Sequence, residues 1–514
     1  MRTLVCLALL LTAGSRQLSA QAVTGTIYGF VTDPTQAVIA GAKVAVVNTN
    51  TNYGREMLTQ NDGSYRFPSL PLGEYRLVTE QSGFNTVMQE GIVLQVDQQV
   101  RIDVMLRVGN VAEKLEVTAE APLINATNAE TSEVIDRRRV EMLPLNGRNF
   151  VQLLQLTTGT TPGATGDTQN NLVINQFRGS TAFTANGMPT RYNNFVLDGV
   201  DNNENAWNSG GIVLMPVIDA IQEFKVATGN FSSEFGRAAG GVVSVQTRSG
   251  TNEFHGNLFE FFRNSALDAN DFFNNANGQR RPAFRQNQFG GTAGGPIVRN
   301  KLFFFADYQG TRQVRALTYL GSVATDAMRA GDFSNSQFGV IYDPATTRPN
   351  PAGGSIRDAF PNRRIPEARF DPLAKNFIAF MPRANTNLNN IANNFINNPP
   401  WSRWGDQGDV RVDYNIGSKG TMFARYSRDH AGQIFPNDLT TPQNPFGGGG
   451  RGDNIDLVAQ NLSINSTYLL TSRVVLEGRL GLSRFAFDGT PLGFDSPDAA
   501  KVQVPGLGAD ARTA

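Results

Sequence analysis

The residue types that most often carry enzymatic chemistry are few and scattered in this sequence. The two histidines, His255 and His430, are far apart, and neither belongs to an HExxH or HxxE pattern that would hold a catalytic zinc ion. The sequence also lacks GxSxG, Walker A and strand-linked GxGxxG motifs. We therefore predict that the chain is not an enzyme and has no catalytic residues, metal or cofactor.

One acidic cluster has the hard oxygen ligands that calcium prefers. Asp198, Asp201 and Glu204 lie within seven positions, but their spacing departs from that of the EF-hand. The alternative, which we favour, is a structural loop of a larger domain.

The N-terminus has the pattern of an export signal. Arg2 provides a positive charge, Leu4–Leu11 an apolar segment and Ser19–Ala22 a small-residue cleavage site. A buried first helix is the alternative. Cys6 is the single cysteine and follows a bulky residue, which argues against a lipoprotein anchor. We predict that residues 1–22 are a signal peptide and that the mature chain has no disulfide.

The composition indicates a mainly β protein. Gly (52) and Phe (34) are abundant, as expected for strands and turns. Lys+Arg and Asp+Glu are both 45, so no net charge favours nucleic acid as a partner. After residue 22 no run of 18 apolar residues occurs, so a membrane-spanning part would have to be a closed β-barrel.

Residues 23–108 alternate apolar and polar positions in about seven short runs, which predicts a small β-sandwich. One hairpin-type turn is expected at Asp62–Gly63. Four segments resemble the carboxypeptidase regulatory-like domain: Gly29–Asp33, Ile39–Val44, Asp62–Phe67 and Leu70–Tyr75.

That resemblance implies a transthyretin-like or carbohydrate-binding-like fold without catalytic activity, acting as a structural or binding module with glycans among its expected ligands. Tyr65, Phe67 and Tyr75 have side chains that can stack on a sugar. The alternative is that these aromatic residues, at alternating strand positions, belong to the core.

Residues 109–130 form a predicted linker without a clear period. An extended segment of this kind can add as a strand to the sheet edge of a partner. Leu115, Glu116, Val117, Thr118 and Ala119 resemble a TonB box, which implies binding to TonB in the periplasm. The last strand of the sandwich and an inert linker are the alternatives.

Residues 131–250 resemble the plug domain of Oar-like TonB-dependent receptors. The resemblance implies a domain that sits inside the barrel and moves when TonB pulls. Six ordered segments carry it: Val140–Phe150, Phe177–Ser180, Asn194–Asp201, Ile218–Lys225, Glu234–Thr247 and Arg248–Gly256.

Residues 251–514 alternate as membrane strands do. Val410, Val412 and Tyr414 oppose Asp409, Arg411 and Asp413. The same period recurs in other segments. The apolar set is Leu302, Phe304, Ala306, Tyr308, Met422, Ala424, Tyr426, Leu462, Ile464, Tyr468, Val474, Leu476, Leu480 and Leu482.

A soluble sheet with one solvent-exposed face would show the same period, so the lengths of the loops must distinguish a soluble sheet from a membrane barrel. Short turns follow positions 298, 414 and 470, whereas long polar stretches cover about 265–285, 312–407 and 430–455. This asymmetry is typical of outer-membrane barrels. We count about seven strands where the family has 22, and therefore expect an incomplete barrel.

The fold class predicted is thus a β-sandwich, a plug and the first part of a transmembrane β-barrel. The function predicted is a TonB-dependent outer-membrane receptor that takes up a substrate too large for porins. Its partners would be the TonB–ExbB–ExbD complex, the outer-membrane bilayer and an extracellular siderophore, glycan, peptide or protein. The sandwich would lie in the periplasm. A surface binding or adhesion protein without transport is the alternative, and an exported hydrolase is the least favoured.

Overall fold

The computed structural model describes residues 24–109, 114–118, 130–163, 183–204, 211–236, 238–276, 278–316, 318–335, 337–388, 390–436, 453–471 and 474–491. The predicted signal peptide, residues 1–22, lies outside these ranges. The described residues form three β-structured parts: an N-terminal sandwich, a central domain and a long antiparallel sheet. No helix within them is long and apolar enough to cross a membrane.

The sandwich consists of two facing sheets. One has the order β4-β1-β7, with β8 also paired to β1, and the other has the order β3-β2-β5-β6-β9. The strands are β1 Gly25–Thr32, β2 Lys43–Asn48, β3 Gly54–Leu58, β4 Ser64–Leu70, β5 Gly73–Glu80, β6 Thr86–Leu94, β7 Gln99–Arg101, β8 Val104–Met105 and β9 Lys114–Thr118. Every second residue of β1 is buried, because one face of the strand packs on the opposite sheet.

The three aromatic residues considered for sugar stacking are core residues. Tyr65, Phe67 and Tyr75 are each no more than 1% exposed. The Tyr65 hydroxyl donates to the Ile102 carbonyl at 2.5 Å, and the Tyr75 hydroxyl donates to the Pro71 carbonyl at 2.7 Å. The interpretation of these aromatic residues as core residues is therefore confirmed, and stacking on a sugar is excluded for them, since they fill the space between the two sheets.

The turn at Asp62–Gly63 is also not a hairpin. It joins β3 to β4, which belong to different sheets. Gly63 has φ +74°, and Asp62 Oδ1 accepts a hydrogen bond from the Ser64 amide at 3.0 Å. The turn therefore carries the chain across the sandwich, which a local turn signal does not distinguish from a hairpin.

The central domain is a five-stranded sheet of order β10-β15-β16-β13-β14, with short helical segments packed on it. Its elements are β10 Thr131–Asp136, α1 Arg137–Met142, 3-10 turns at Asn146–Arg148 and Phe150–Leu156, β11 Thr160–Pro162, β12 Phe183–Ala185, a 3-10 turn at Thr190–Tyr192, β13 Asn194–Leu197, β14 Val200–Asp201, a 3-10 turn at Ile218–Ala220, β15 Ile221–Gly229 and β16 Val242–Thr247. Phe150 packs edge-on against Phe224, and Phe183 against Phe195, within one apolar core.

Seven long strands form the third part, which we call the wall. Each strand pairs with its neighbour in the order β17-β18-β19-β24-β25-β26-β27. The strands are β17 His255–Asn264, β18 Phe284–Val298, β19 Leu302–Ala316, β24 Pro400–Ile416, β25 Gly420–Phe435, β26 Asp453–Thr471 and β27 Val474–Pro491. The count of seven strands agrees with the prediction for the described part of the chain.

Several wall strands extend further than the sequence indicates. β19 continues to Ala316 and β24 begins at Pro400, inside the stretch expected to be a loop. The shortened loop also contains regular structure, in contrast to the expected structureless stretch. The connection between β17 and β18 contains a 3-10 turn at Ser265–Leu267 and α2 Phe272–Ala276. The elements of the long loop between β19 and β24 are β20 Tyr319–Gly321, α3 Asp326–Arg329, 3-10 turns at Pro344–Thr346, Pro361–Arg363 and Glu367–Arg369, β21 Arg348–Pro349, β22 Ser355–Ile356, α4 Pro372–Phe380 and β23 Phe395–Asn397.

The two faces of the wall have the inverse polarity of a soluble sheet. The polar residues Asp409, Arg425 and Asn465 are at most 5% exposed, whereas Val410 is 54% and Leu482 58% exposed. The polar face packs on the central domain and the apolar face points outward. This confirms the predicted alternation and indicates an apolar environment outside the wall.

Candidate functional site

The Asp198 carboxylate lies where the central domain meets the wall. It occupies the tight turn between β13 and β14, where Asp198 and Gly199 both have positive φ (49° and 78°). Asp and Gly tolerate this turn conformation better than most residues. The Asp198 side chain is fully buried and accepts from the Thr247 amide at 2.9 Å and the Thr247 hydroxyl at 2.7 Å. These bonds fix the turn onto β16.

Two arginines of the wall complete the site. Arg425 Nε donates to Asp198 Oδ2 at 2.6 Å, and Arg411 Nη1 lies 3.4 Å from Asp198 Oδ1. Burial alone would raise the pKa of Asp198, but the charges of Arg425 and Arg411 and the donors of Thr247 outweigh it and hold the pKa below its ordinary value. Asp198 is therefore a buried anion held by two cations.

Neighbouring polar groups satisfy the remaining donors of these arginines. Arg425 also contacts Ser427, Asp409 at 3.4 Å and Asn461 at 2.8 Å. Arg411 donates to Asp413 at 2.8 Å. Because each charge is paired within a hydrogen-bonded network, its burial is tolerated. The site joins the central domain to the wall, and we call Asp198, Arg411 and Arg425 the polar lock.

A second polar contact lies at Arg148. Its side chain forms an ion pair with Asp219 and donates to Gln309 on β19 at 3.2 Å. The guanidinium also stacks over the rings of Phe259 (4.3 Å) and Phe261 (4.7 Å) on β17. Arg148 thus holds the central domain against β17 and β19 of the wall. Asp198 holds the central domain against β24 and β25.

Apolar contacts between these parts are small by comparison. Val217 and Ala220 pack on Phe305, and Val213 packs on Leu457 and Ala459. The described interface with the wall therefore combines small apolar clusters with charged and amide groups. Such an interface can exchange its bonds for bonds to water when the two parts separate.

The sandwich is fastened to the central domain through β15. The Val96 amide donates to Glu223 Oε1 at 2.5 Å, and Lys225 Nζ donates to Asp97 at 2.7 Å and Glu130 at 2.5 Å. Burial raises the pKa of Glu223 to about 7, helped by the charge of Asp136. The Glu223 carboxyl group therefore changes its protonation state near neutral pH.

The sandwich also touches the short turn between β18 and β19 and the segment that leads from β16 into β17. Asn52 donates to Asn300 at 2.8 Å, and the Asn252 amide donates to the Asn50 carbonyl at 2.9 Å. Asn300 lies in the short turn between β18 and β19. In outer-membrane barrels the short turns face the periplasm. The sandwich thus occupies that end.

Similarity to known families agrees with this arrangement. Residues 246–514, more than half of the chain, match the outer membrane beta barrel domain. Residues 125–243 match the TonB-dependent receptor plug domain, and residues 26–107 match the carboxypeptidase regulatory-like domain. The chain belongs to the TonB-dependent receptors. Its central domain is the plug, and its wall is part of an outer-membrane β-barrel.

Three relatives illustrate the similarity. The receptor is 31% identical over 321 residues to the TonB-dependent transporter Oar of Myxococcus xanthus, covering 58% of this chain and 28% of that protein. The solved structure of the outer membrane transporter YddB from Escherichia coli is 13% identical, with a TM-score of 0.41, and the match covers 69% of this chain and 39% of that one. The structure of a mutant ferric enterobactin receptor from Pseudomonas aeruginosa is 12% identical, with a TM-score of 0.34, and the match covers 70% of this chain and 45% of that one. The chain spans less than half the length of each.

The candidate TonB box of the receptor forms strand β9. Residues 114–118 pair in parallel with β6, with Thr86 opposite Lys114 and Glu90 opposite Thr118. Ala119 lies outside the described residues. β9 is the end strand of its sheet, so its other edge has no described strand beside it. The position corresponds to the alternative of a last sandwich strand, and a role in binding TonB stays a prediction.

A cleft of about 830 Å³ lies between the sandwich, the plug and the wall of the receptor. Residues of all three parts line it, among them Asn50, Gly73, Arg137, Asp219, His255 and Asp413. Its lining residues carry both charge signs.

The calcium hypothesis is wrong for Asp198. Its carboxylate is occupied by Arg425, Arg411 and Thr247, which leaves no anionic ligand for a cation there. Within the ranges that the structure describes, no group of three or more His, Cys, Asp or Glu residues is placed to hold a metal.

Sequence reasoning missed the pairing of Asp198 with Arg411 and Arg425. The alternation predicted Arg411 on the polar face of the wall, and it implies the same face for Arg425, between Ala424 and Tyr426 of the apolar set. Asp198 was predicted in a loop, but no motif links it to Arg425, which is 227 positions away. The signal that could have indicated this contact is a charged residue on the inner face of a wall strand, since a domain predicted to fill the barrel must pair with that charge.

Proposed function

We propose that the complete protein is a TonB-dependent transporter that moves a large substrate across the outer membrane. The substrate binds at the extracellular loops and the outer end of the plug. TonB, energised with ExbB and ExbD by the proton-motive force, binds residues 115–119 and pulls. The plug then moves relative to the wall, and the substrate passes.

The polar lock at Asp198 carries this proposal. A domain that closed the barrel permanently would be held most stably by a dry, apolar interface with the wall. Instead Asp198, Arg411 and Arg425 hold the plug through charged hydrogen bonds. These bonds are strong while dry, and water can replace them once the plug shifts. This supports a plug that is held firmly and released by force.

The position of β9 supports the route of the force. β9 precedes a linker that leads to Glu130 and β10, the end strand of the plug sheet. A pull on β9 therefore acts on the plug through its outermost strand. A backbone edge such as that of β9 is also suited to pairing with a strand of TonB.

The test is a deletion of residues 115–119 in the complete protein. We expect loss of binding to the purified periplasmic domain of TonB and loss of substrate accumulation, with surface binding of the substrate unchanged. A deletion of residues 121–125, equal in length, should keep TonB binding.

Unchanged uptake after deletion of residues 115–119 would contradict the transport proposal. It would favour the alternative, a surface binding or adhesion protein that needs no TonB box. The buried positions of Tyr65, Phe67 and Tyr75 remove the sugar-stacking argument for that alternative.

A further inference from the structure

The turn between β6 and β7 of the sandwich packs directly on β15 of the plug. The Val96 amide donates to Glu223 Oε1 at 2.5 Å, and Asp97 accepts from Lys225 Nζ at 2.7 Å. Glu223 and Lys225 are two positions apart on β15 and therefore lie on the same face of that strand. Val96, Glu223 and Lys225 are each at most 6% exposed. The sandwich thus contacts the plug through charged groups that are shielded from water.

Lys225 also binds the end of the linker. Its Nζ donates to Glu130 at 2.5 Å, and Glu130 immediately precedes β10, the end strand of the plug sheet. Breaking either contact of Lys225 would leave a charge in a dry site without its partner, so both contacts resist separation. We call Asp97, Glu130 and Lys225 the Lys225 network. It joins the sandwich, the linker and the plug at one point.

The sandwich meets the wall through a different kind of contact. Asn52 in the turn between β2 and β3 donates to Asn300 at 2.8 Å, and the Asn252 amide donates to the Asn50 carbonyl at 2.9 Å. Asn50, Asn52 and Asn300 are exposed, so water can replace either partner. The cleft of about 830 Å³ lies beside this contact, with Asn50 in its lining. The contact with the wall is therefore the weaker of the two attachments of the sandwich.

We propose that the sandwich moves together with the plug when TonB pulls, and that Lys225 is the residue that couples them. This inference rests on the proposed function, in which the plug moves against the wall. A pull on β9 then reaches β10 through the linker and β15 through the sandwich. Because β10 and β15 are paired strands, they are displaced together, while the exposed contact at Asn50 and Asn52 opens. The sandwich is thus part of the moving body and not a fixed spacer.

The experiment links the sandwich to the wall and measures whether the plug can still move. The complete protein would carry Cys6→Ser, Ser244→Cys, Asn52→Cys and Asn300→Cys. A short bifunctional methanethiosulfonate reagent links positions 52 and 300 in cells without a proton-motive force, where position 244 is buried. The reagent is removed and the cells are energised. Maleimide labelling of the peptide that contains position 244 is then measured by mass spectrometry.

We expect the link between positions 52 and 300 to abolish energy-dependent labelling at position 244, and a reductant that opens the link to restore it. Adding Lys225→Met to the linked protein should also restore labelling, because the plug can then leave the fixed sandwich behind. The restored labelling should still require the proton-motive force, which separates a released plug from an unfolded one. Lys43→Met is the matched control and should restore nothing, since Lys43 pairs with Glu56 on the exposed surface of the sandwich.

Full labelling in the linked protein would overturn the proposal, because the plug would then move while the sandwich stays on the wall. Failure of Lys225→Met to restore labelling would overturn the coupling role of Lys225. Absence of energy-dependent labelling before the link is formed would instead contradict the proposed function, and it would do so whatever the sandwich does. Heat-modifiable gel mobility checks that each variant is folded.

Discussion

Asp198 of the plug and Arg425 of the wall form an ion pair in which both side chains are fully buried, with 2.6 Å between Oδ2 and Nε. The two residues belong to different parts of the receptor and are joined only by the fold. Their burial makes the pair sensitive to loss of either charge, since the remaining charge would lie in a dry site.

Asp198→Asn should therefore loosen the plug. Removing one member of a buried pair costs about 3–5 kcal/mol, and Arg425 would be left with weaker acceptors. We expect a lower urea concentration for plug unfolding and more open-pore current in planar bilayers. Asp201→Asn is the control, because Asp201 lies on the same hairpin but is exposed. Equal effects of the two variants would contradict the role of the lock.

Arg148 should not be replaceable by lysine. The guanidinium pairs with Asp219 and stacks on Phe259 and Phe261 at the same time, which a compact ammonium group cannot do. We expect Arg148→Lys to destabilise plug seating by about 1–2 kcal/mol and Arg148→Ala by more. Protease digestion of the folded receptor measures this as faster cleavage within the plug. A lysine variant that resists protease as the unchanged protein does would refute the stacking contribution.

The burial of Glu223 should make the stability of the folded receptor depend on pH. The pKa of Glu223 rises from 4.5 to about 7 on folding, so the folded state holds this proton more tightly than the unfolded chain. Its contribution to stability is complete below about pH 4.5 and is lost as the pH rises through about 7. Glu223→Gln removes this dependence.

Urea unfolding at pH values from about 4.5 to 8 checks this. The unfolding free energy of the unchanged protein should fall by up to about 3 kcal/mol more than that of Glu223→Gln over this range. Parallel curves for the two proteins would show that Glu223 does not titrate as its surroundings indicate.

Val410→Arg should reduce the amount of folded receptor in the outer membrane. Val410 is 54% exposed, and on a soluble protein an exposed substitution changes stability by about 0.5 kcal/mol or less. On the lipid face of a barrel an arginine costs about 2–4 kcal/mol. The amount of folded, heat-modifiable protein in the outer-membrane fraction distinguishes these values. Val38→Arg, at an exposed site on the sandwich, serves as the control.

The faces of the wall strands were predictable because the period of two is local. Val410 and Asp409 could be assigned to opposite faces from their own neighbours, and the structure agrees. The ends of the strands were less predictable. Residues 400–407 contain Pro, Gly and Asp, which are depleted in strands, yet they continue β24 because β19 pairs with them. A partner strand thus overrides local propensity.

The candidate site was predictable only in its parts. The Asp198–Gly199 turn follows from local conformational preference, and the inward direction of Arg425 follows from alternation. Their contact depends on how the plug sits against the wall, which no local pattern encodes. The roles of Tyr65 and Tyr75 were open for a similar reason, since the facing sheet decides whether a ring is buried.

The most direct test of the central claim, that TonB moves the plug against the wall, uses a single engineered cysteine. Cys6 is the only cysteine in the sequence, and Ser244 on β16 is 4% exposed inside the plug. We would introduce Cys6→Ser and Ser244→Cys into the complete protein and measure maleimide labelling in living cells. Labelling should require the proton-motive force and residues 115–119, and it should stop when either is removed. Equal labelling with and without them would contradict a plug moved by TonB.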